Sequence, residues 1–530
     1  MRKTLEDLKL LCANADEINR QNLKEILAAG SDTVFGREHG LSADMDASSF
    51  MKSLPISKYA DYEGYIERIR RGGDNVLTTF PVSYWIVSSG TMGEQKHVPL
   101  SDEALCRYAE YMMVHLDLAG IDDSAPRMHA SIIVPPWEKE SMTITSAFFN
   151  KNDEWGDYCT ESYVEGRELL FTDSLKKYEE IEYCKARIAL INPGIQFFKS
   201  SFIYDLIQLF SYIRDHYEML LSDIDKGEFS VELPEEVRKR ISAFPHPGAE
   251  RIEECRRVLS GDVKAYVPLL WKKAKLLFGV SGQVFPGQEE MLKSFCGEIP
   301  LFSFMYGSSE CICGVAHCFN DADYILLPRA GFFELRPRDG GDHDTILPSE
   351  AEVGQVYELI YTTFSGLYRY ASGDLLEITG FEGETPTFKM VGRTRLVFNI
   401  TGEKMEYSHI SSAMDSLRGR FWNDRLLFSV GLNYDISPAG YQIFAEGDLR
   451  ASECCAFSRA LDDILKNESF DYADLRGIGS LDMPRIIAVE DGAHESCILK
   501  YRPFNPYQRK PLQALTEEER KYMAGKRREE

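Results

Sequence analysis

The period of the hydrophobic positions changes along this chain and separates helical segments from strand-rich ones. Residues 4–29 carry apolar side chains at helical spacing until Gly30 and Ser31 interrupt the pattern. Similar spacing predicts helices at 62–71, 101–118, 200–225, 234–243, 248–258 and 286–296. Short β-branched or aromatic runs between Gly, Pro and Asp predict strands at 129–135, 186–192, 277–280, 301–306, 323–338, 356–363, 374–379 and 387–398. Strands interleaved with helices favour an α/β fold.

A second, smaller unit is predicted beyond residue 397. The pattern there predicts helices at 407–418 and 451–466 and strands at 426–434, 439–446 and 484–490. Before it, the hairpin-rich stretch 323–398 predicts a small antiparallel sheet or barrel-like subdomain. We therefore expect a large N-terminal domain, 1–397, with mixed sheets flanked by helices, and an α+β C-terminal domain, 398–530.

Composition and charge exclude several classes of protein. The 530 residues are 44% hydrophobic and 27% charged, as in an ordinary globular protein. The net charge of −24 leaves no basic footprint for nucleic acid and no polybasic membrane anchor. The N-terminus lacks an uninterrupted apolar run, and no stretch is long enough to span a bilayer. We expect a cytoplasmic protein without nucleic-acid or membrane partners.

The 12 cysteines are too sparse for a disulfide framework in a chain of this length. The densest group is Cys311, Cys313 and Cys318, with His317 beside them. This group fits either a metal site or a buried strand with small, soft side chains. A structural zinc site needs a second pair of ligands, which is missing here, so the buried strand is the favoured interpretation.

The segment from residue 82 to 100 is the first with recognisable chemistry. An apolar strand runs into Ser88-Ser89-Gly90-Thr91-Met92-Gly93-Glu94-Gln95-Lys96 and a second apolar segment follows. Glycines allow close approach of the backbone to a bulky anion, hydroxyls and successive N–H groups can donate to it, and Lys96 adds positive charge. A polyphosphate loop is favoured over a plain polar hairpin turn, although the Walker pattern is not matched.

Two further segments lie next to predicted strands. Tyr306-Gly307-Ser308-Ser309-Glu310 offers a ring that can stack on a nucleobase and a carboxylate that can hold Mg²⁺. Asp374 lies between Gly373 and the strand 375–378, where its carboxylate could accept two ribose hydroxyls. Each segment alone also fits an ordinary turn.

Taken in order, these segments resemble the adenylate-forming enzyme superfamily, and most closely the acyl-acid amido synthetases of the Gretchen Hagen auxin-responsive family. That family joins acids such as jasmonate or indoleacetate to amino acids. The chain carries FG-R-HG and P-x-x-x-Y-x-x-Y-x-x-Y-I-x-R patterns near its start, and VGQVYELIYTTFSGLYRYASGD is the most specific match. The resemblance covers most of the chain, and we expect a microbial member.

The resemblance implies roles for individual residues. Ser88, Ser89, Gly90, Thr91, Gly93 and Lys96 match the phosphate loop, while Tyr306, Gly307, Ser308, Ser309 and Glu310 match the motif that contacts nucleotide and metal. Asp374 matches the ribose-binding aspartate, and Arg393 matches an arginine just before the domain hinge. Lys510 is the candidate for the lysine that the C-terminal domain brings to the α-phosphate, with Lys500 as a rival.

Three departures from the family pattern stand out. The phosphate loop is one residue shorter than in the usual plant members of the family. Ala371 replaces an arginine that is common in the plant sequences at this position. In addition, Pro511 directly follows Lys510, where the family has a Q-x-K-x-P-R context. The first two departures could change the geometry of their loops, and the third leaves the choice of lysine open.

The implied reaction uses ATP and Mg²⁺ in two steps. A carboxylic acid attacks the α-phosphate to give an acyl-adenylate and pyrophosphate, and an amine, usually of an amino acid, then displaces AMP. Three alternatives stay open: an acid–thiol ligase with the same first step, a nucleotide-binding protein without turnover, and a hydrolase, for which no G-x-S-x-G elbow is present. Candidates for the acyl pocket, each equally consistent with plain core, are Tyr111, Met112, His115, Tyr204 and Phe332.

Overall fold

A computed structural model of the chain describes most of its length. The described residues are 4–89, 95–111, 114–122, 125–130, 140–141, 144, 147, 174–280, 288–319, 323–393, 396–398, 400, 403, 405–423, 426–502 and 511–528. No helix in these ranges is long and apolar enough to cross a membrane.

The chain begins with short helices followed by a β-hairpin. The elements are α1 (Leu5–Cys12), α2 (Ala15–Gly30), α3 (Val34–Glu38), α4 (Ala47–Ser53), α5 (Glu63–Arg70), β1 (Val82–Ser89), β2 (Gln95–Ser101), α6 (Asp102–Ala109) and α7 (Val114–Ala119). Thr4 and Asp7 form a capping box that fixes the start of α1. Gly30 is the last residue of α2, and a Cβ there would overlap the Tyr368 hydroxyl, so this position requires glycine.

The next part places helices around a parallel sheet. Its elements are β3 (Arg127–His129), β4 (Glu140–Ser141), α8 (Tyr178–Ile191), β5 (Phe197–Phe202), α9 (Ile203–Lys226), α10 (Glu235–Ser242), α11 (Ala249–Leu259), α12 (Val267–Leu270), β6 (Leu276–Val280), α13 (Gln288–Cys296) and β7 (Leu301–Phe302). Strands β3, β5, β6 and β7 pair in that order, all parallel, while β4 pairs with β1.

A seven-stranded antiparallel sheet follows. Its strands are β8 (Met305–Gly307), β9 (Ile312–Ala316), β10 (Tyr324–Leu326), β11 (Phe332–Pro337), β12 (Val356–Thr362), β13 (Tyr370–Glu382) and β14 (Thr385–Arg393). They pair in the order β11-β12-β13-β14-β10-β9-β8. Because β7 ends the parallel sheet and β8 starts the antiparallel one, residues 303–310 lie at the junction of the two sheets.

The last part of the chain is a separate α+β arrangement. Its elements are β15 (Val397–Phe398), β16 (Met405–Glu406), α14 (Tyr407–Ser416), β17 (Leu426–Asn433), β18 (Gly440–Gly447), α15 (Cys454–Glu468), α16 (Phe470–Gly477), β19 (Arg485–Val489), α17 (Ala493–Tyr501) and α18 (Glu517–Ala524). Strands β17, β18 and β19 form one sheet. Arg418 pairs with Glu290, and Arg338 pairs with Glu406, so ion pairs join this part to the rest of the chain.

A buried hydrogen-bond network holds α17 against this C-terminal sheet. The carboxylate of Glu446 on β18 accepts from the backbone N–H groups of Gly492 and His494, each at 2.9 Å. The His494 ring lies between Glu446, 3.0 Å away, and the Ser429 hydroxyl, 3.1 Å away. The polar atoms of this interior are therefore satisfied by one another.

Three apolar clusters account for most of the described core. The first packs α1–α6 and the hairpin against the seven-stranded sheet, and Tyr111 and Phe332 belong to it. The second surrounds α8 and α9, and the third fills the C-terminal unit. Tyr111 and Phe332 are thus ordinary core residues, while Met112 and the side chain of His115 lie outside the described part.

The fold class is confirmed, with one strand prediction overturned, while most of the strand predicted at 129–135 lies outside the described residues. Residues 186–192 lie almost entirely in the helix α8, not in a strand. The cause is burial on every side: all residues from Glu180 to Leu190 are buried, which removes the helical periodicity from the sequence. The predicted antiparallel stretch forms the seven-stranded sheet, and the predicted helices and strands of 407–490 occur within a few residues of their expected bounds.

Candidate active site

The phosphate-loop candidate joins the two strands of the β1–β2 hairpin. Ser88 pairs with Lys96 and Ser89 with Gln95, so the connection between the strands is five residues long. Gly90, Thr91 and Gly93, with the side chains of Ser88 and Ser89, lie outside what the structure describes. The Lys96 ammonium group lies 5.1 Å from the centre of the Tyr59 ring, whose hydroxyl accepts from the backbone N–H of His97 at 2.9 Å.

The Tyr306–Glu310 segment makes a tight turn at the sheet junction. A Cβ on Gly307 would lie 2.8 Å from the carbonyl oxygen of Cys311, so the turn requires glycine. The backbone N–H of Ser308 donates to that same carbonyl at 2.9 Å, and its hydroxyl lies 3.0 Å from the Tyr361 hydroxyl. Glu310 follows with only 9% of its surface exposed.

Asp374 lies directly beside this turn. The Tyr306 hydroxyl donates to Asp374 Oδ2 at 2.9 Å, and the Tyr370 hydroxyl donates to Glu310 Oε1 at 2.8 Å. The two segments are therefore joined by two hydrogen bonds, between residues 68 and 60 positions apart, and each segment donates one of them. Gly373, at φ +75°, lets the chain turn so that the buried Asp374 carboxylate meets Tyr306.

Arg393 and the C-terminal lysines are only partly described. Arg393 stands opposite Asp374 in the β13–β14 register, which brings its backbone to the site, while its side chain lies outside the described part. Lys510 is likewise outside the described residues. Lys500 is exposed near the end of α17, with its ammonium group 4.5 Å from the centre of the Tyr522 ring.

Sequence reasoning missed a buried ion pair behind the site. Arg369, at φ +47°, has a fully buried guanidinium group that contacts both carboxylate oxygens of the fully buried Glu334 at 3.0 and 2.8 Å. Glu334 lies 35 residues earlier on β11. No local pattern marks two distant charged residues as partners, so the sequence carried no signal for this pair.

Tyr361 is a buried residue that contacts both segments of the candidate site, Ser308 in one and Tyr370 in the other. Its ring stacks on that of Tyr370, with centroids 5.6 Å apart and an angle of 17° between the planes. Burial, with the nearby Glu310 carboxylate as a smaller cause, raises the pKa of Tyr361 well above its ordinary value. The Tyr361 hydroxyl therefore stays protonated at neutral pH.

Two members of the cysteine group, Cys311 and Cys313, fit the buried-strand interpretation, whereas Cys318 is exposed beyond the end of β9. Cys311 and Cys313 are buried at the start of β9, and burial raises the pKa of the Cys313 thiol well above its usual range. The described residues contain no group of three or more side chains placed to hold a metal ion. Within the same ranges, the exposed cysteines are Cys318 and Cys455.

Comparison with known protein families assigns the sequence to one of them. A model described as the GH3 family N-terminal domain matches residues 4–301, and one described as the GH3 family central domain matches residues 324–393. Because the first match alone covers more than half of the chain, the chain belongs to the GH3 family. The Gretchen Hagen-type family predicted from the motifs is thereby confirmed.

The similar proteins are named as amide-forming enzymes. The chain is 24% identical over 497 residues to a jasmonoyl–L-amino acid synthetase of Oryza sativa subsp. japonica, covering 87% of this chain and 85% of the relative. It is 28% identical to an indole-3-acetic acid-amido synthetase of Arabidopsis thaliana, covering 77% and 72%. The predicted class, a ligase forming carbon–nitrogen bonds, is confirmed, whereas a microbial origin stays a prediction.

The fold agrees with a solved member of this family. The structure of the GH3.15 acyl acid amido synthetase superposes with a TM-score of 0.85 at 23% sequence identity, covering 99% of this chain and 96% of that one. This similarity shows that the whole described architecture, including the C-terminal unit, is that of the family.

Proposed function

We propose that the chain is an ATP-dependent acyl-acid amido synthetase that activates a carboxylic acid as its acyl-adenylate and transfers the acyl group to the amine of an amino acid. The observation that carries this proposal is the meeting of Tyr306, Glu310 and Asp374 at the sheet junction. These are the groups that nucleotide binding needs: a ring, a metal-binding carboxylate and an acceptor for ribose hydroxyls.

The nucleotide is held in this proposal by residues from three segments. The adenine stacks on Tyr306, and its ribose hydroxyls donate to Asp374, which already accepts one hydrogen bond from a hydroxyl. The hairpin loop, with Ser88, Ser89, Gly90, Thr91 and Gly93, surrounds the phosphates, and Lys96 and Arg393 add positive charge there. Hydrogen-bond donors and cations that are already in position before the reaction stabilise the negative charge that develops on the α-phosphate.

The residues present also fit Mg²⁺. Glu310 is nearly buried, and within the described ranges its carboxylate accepts from Tyr370 and forms no ion pair with a basic side chain. Mg²⁺ bound to ATP usually takes one or two protein carboxylates and fills its other positions with phosphate and water oxygens. Glu310 would hold the ion, which when bound offsets the negative charge of the phosphates.

The C-terminal unit supplies the remaining catalytic group in this proposal. We expect residues 398–530 to move as a domain about a hinge at residues 398–399, so that Lys510 reaches the α-phosphate. Closure would also keep water away from the acyl-adenylate, a mixed anhydride that hydrolyses readily. The cytoplasm supplies both ATP and free amino acids, and we place the reaction there.

The experiment that tests the proposal is acid-dependent release of pyrophosphate from ATP and Mg²⁺. A panel of aryl, indolyl and aliphatic acids is offered with pooled amino acids or with coenzyme A, and the products are identified by mass spectrometry. The choice of acids follows the relatives, whose names contain jasmonate and indole-3-acetic acid. Release that requires an acid and ends in an amide is the expected result.

The variant that tests the role of Glu310 is Glu310→Gln. It keeps a side-chain oxygen that can accept from Tyr370 and removes only the negative charge. This variant should fold normally and lose most of the pyrophosphate release. An acyl-CoA product would contradict the amide assignment in favour of a thiol ligase. Failure of every acid in the panel, together with no ATP binding by calorimetry, would contradict the proposal as a whole.

A further inference from the structure

Two tyrosines connect the two nucleotide-binding segments in a reciprocal way. Tyr306 belongs to the first segment and donates to Asp374 of the second, while Tyr370 belongs to the second and donates to Glu310 of the first. Tyr306 is accounted for by nucleotide binding, but Tyr370 has no role in the reaction as proposed above.

The Tyr370 side chain is held from all sides. It is fully buried and stacks on Tyr361. The backbone on either side is fixed by Ser57, whose N–H donates to the Arg369 carbonyl and whose carbonyl accepts from the Ala371 N–H, both at 2.9 Å. These contacts give the hydroxyl of Tyr370 a defined position within the protein.

That fixed hydroxyl determines how Glu310 is presented. Glutamate has three rotatable side-chain bonds, and a carboxylate free to rotate would have to be ordered each time a metal binds. The Tyr370 hydroxyl, 2.8 Å from Oε1, takes up one of the lone-pair sites of the carboxylate and favours one orientation of it. Hydrogen bonds to metal-binding carboxylates are known to orient the carboxylate and to strengthen metal binding.

We propose that Tyr370 is a positioning residue that orients the Glu310 carboxylate for the Mg²⁺ ion of ATP. This inference rests on the proposed function, because it assumes that Glu310 meets that ion. It predicts a specific dependence: loss of the Tyr370 hydroxyl should weaken metal binding without weakening metal-free nucleotide binding.

The test compares Tyr370→Phe with the matched control Tyr368→Phe. Tyr368 lies two residues earlier, is equally buried, and donates its hydroxyl to the Leu77 carbonyl at 2.7 Å, away from Glu310. Binding of Mn²⁺ to each full-length protein with a non-hydrolysable ATP analogue is measured by electron paramagnetic resonance. We expect about ten- to hundredfold weaker Mn²⁺ binding for Tyr370→Phe, and wild-type binding for Tyr368→Phe.

Three further measurements separate positioning from a merely structural role. Affinity for the analogue without metal should stay at the wild-type value in Tyr370→Phe. In a Glu310→Gln background, Tyr370→Phe should cause no further loss of Mn²⁺ binding. In the pyrophosphate-release assay, the Mg²⁺ concentration that gives half the maximal rate should be higher for Tyr370→Phe than for the wild type. It should be unchanged for Tyr368→Phe.

If Tyr370→Phe does not fold, 3-fluorotyrosine introduced at position 370 keeps the hydroxyl and reports on it. Its ¹⁹F resonance should shift when Mg²⁺ is added to the analogue complex, and the same probe at position 368 should not. Unchanged Mn²⁺ binding in Tyr370→Phe, equal losses in both variants, or an unmoved resonance at 370 would overturn the inference. Wild-type protein without acid-dependent pyrophosphate release would instead count against the proposed function.

Discussion

The buried pair of Arg369 and Glu334 gives the sharpest test of the energetics behind the site. Both side chains are fully buried, and Arg369 also donates to the Thr345 hydroxyl and the Asp342 carbonyl at 2.9 Å. The perturbation is Glu334→Gln, which has nearly the same shape and can still accept a hydrogen bond. It removes only the charge that balances the buried guanidinium group.

The expected cost follows from that geometry. Removing one partner of a buried ion pair leaves an uncompensated charge and typically costs about 3–5 kcal/mol. Because the glutamine and three further oxygens, those of Asp342, Thr345 and Leu54, still accept from Arg369, we expect the lower end, about 3 kcal/mol. This is a large part of the roughly 5–15 kcal/mol that separates most folded domains from their unfolded state.

The matched control is Glu358→Gln on the neighbouring strand β12. Glu358 is also buried, but its partner Arg336 is about a quarter exposed and can be hydrated when the charge is lost. We expect this substitution to cost no more than about 1 kcal/mol, as for pairs near the surface. The free energy of unfolding is measured by urea denaturation followed by circular dichroism. A cost below 1 kcal/mol for Glu334→Gln, or equal costs for both variants, would refute the reasoning.

Three other predictions concern the nucleotide, the C-terminal lysine and acid stability. Asp374→Ala should raise the KM for ATP about tenfold or more, since hydrogen bonds to a charged acceptor contribute about 1.5–3 kcal/mol each; an unchanged KM in the pyrophosphate assay would exclude the ribose role. Lys510→Ala should slow adenylation more than it weakens ATP binding, and if Lys500→Ala does so instead in single-turnover kinetics, the assignment of the tail is wrong. Burial favours the neutral form of Glu446, but hydrogen bonds from His494 and Gly492 outweigh it and hold the pKa of Glu446 at about 2, below its ordinary 4.5. Stability from this group is therefore present above pH 4.5 and lost as the pH falls toward 2, and in urea titrations Glu446→Gln should flatten that loss.

The parts of the site that sequence could predict are those carried by contiguous residues. Tyr306, Glu310 and Asp374 each lie in a short, recognisable segment, and the structure brings all three together. Their proximity could not be read from spacing alone, because it depends on the β8–β9 and β13–β14 pairings within one sheet. The expectation that the three residues share one site came from the family resemblance and not from the spacing of the residues.

The parts that sequence did not predict depend on contacts between distant residues or on complete burial. Ser57 fixes the backbone around Tyr370 from more than 300 residues away. The helix α8 was interpreted in part as a strand because its residues are buried on all sides. The helix α17 was not predicted, since three of its nine residues are buried and its apolar pattern is correspondingly weak.

The distribution of thiols among the described residues offers a way to test whether the two predicted units move relative to each other. Cys318 and Cys455 are exposed on opposite sides of the predicted boundary at residues 397–398. By contrast, burial raises the pKa of Cys184 and Cys497 to about 12, which keeps these thiols protonated and slow toward maleimides. A donor and an acceptor dye attached at the two exposed positions would report the distance between the units by energy transfer, before and after addition of ATP and acid.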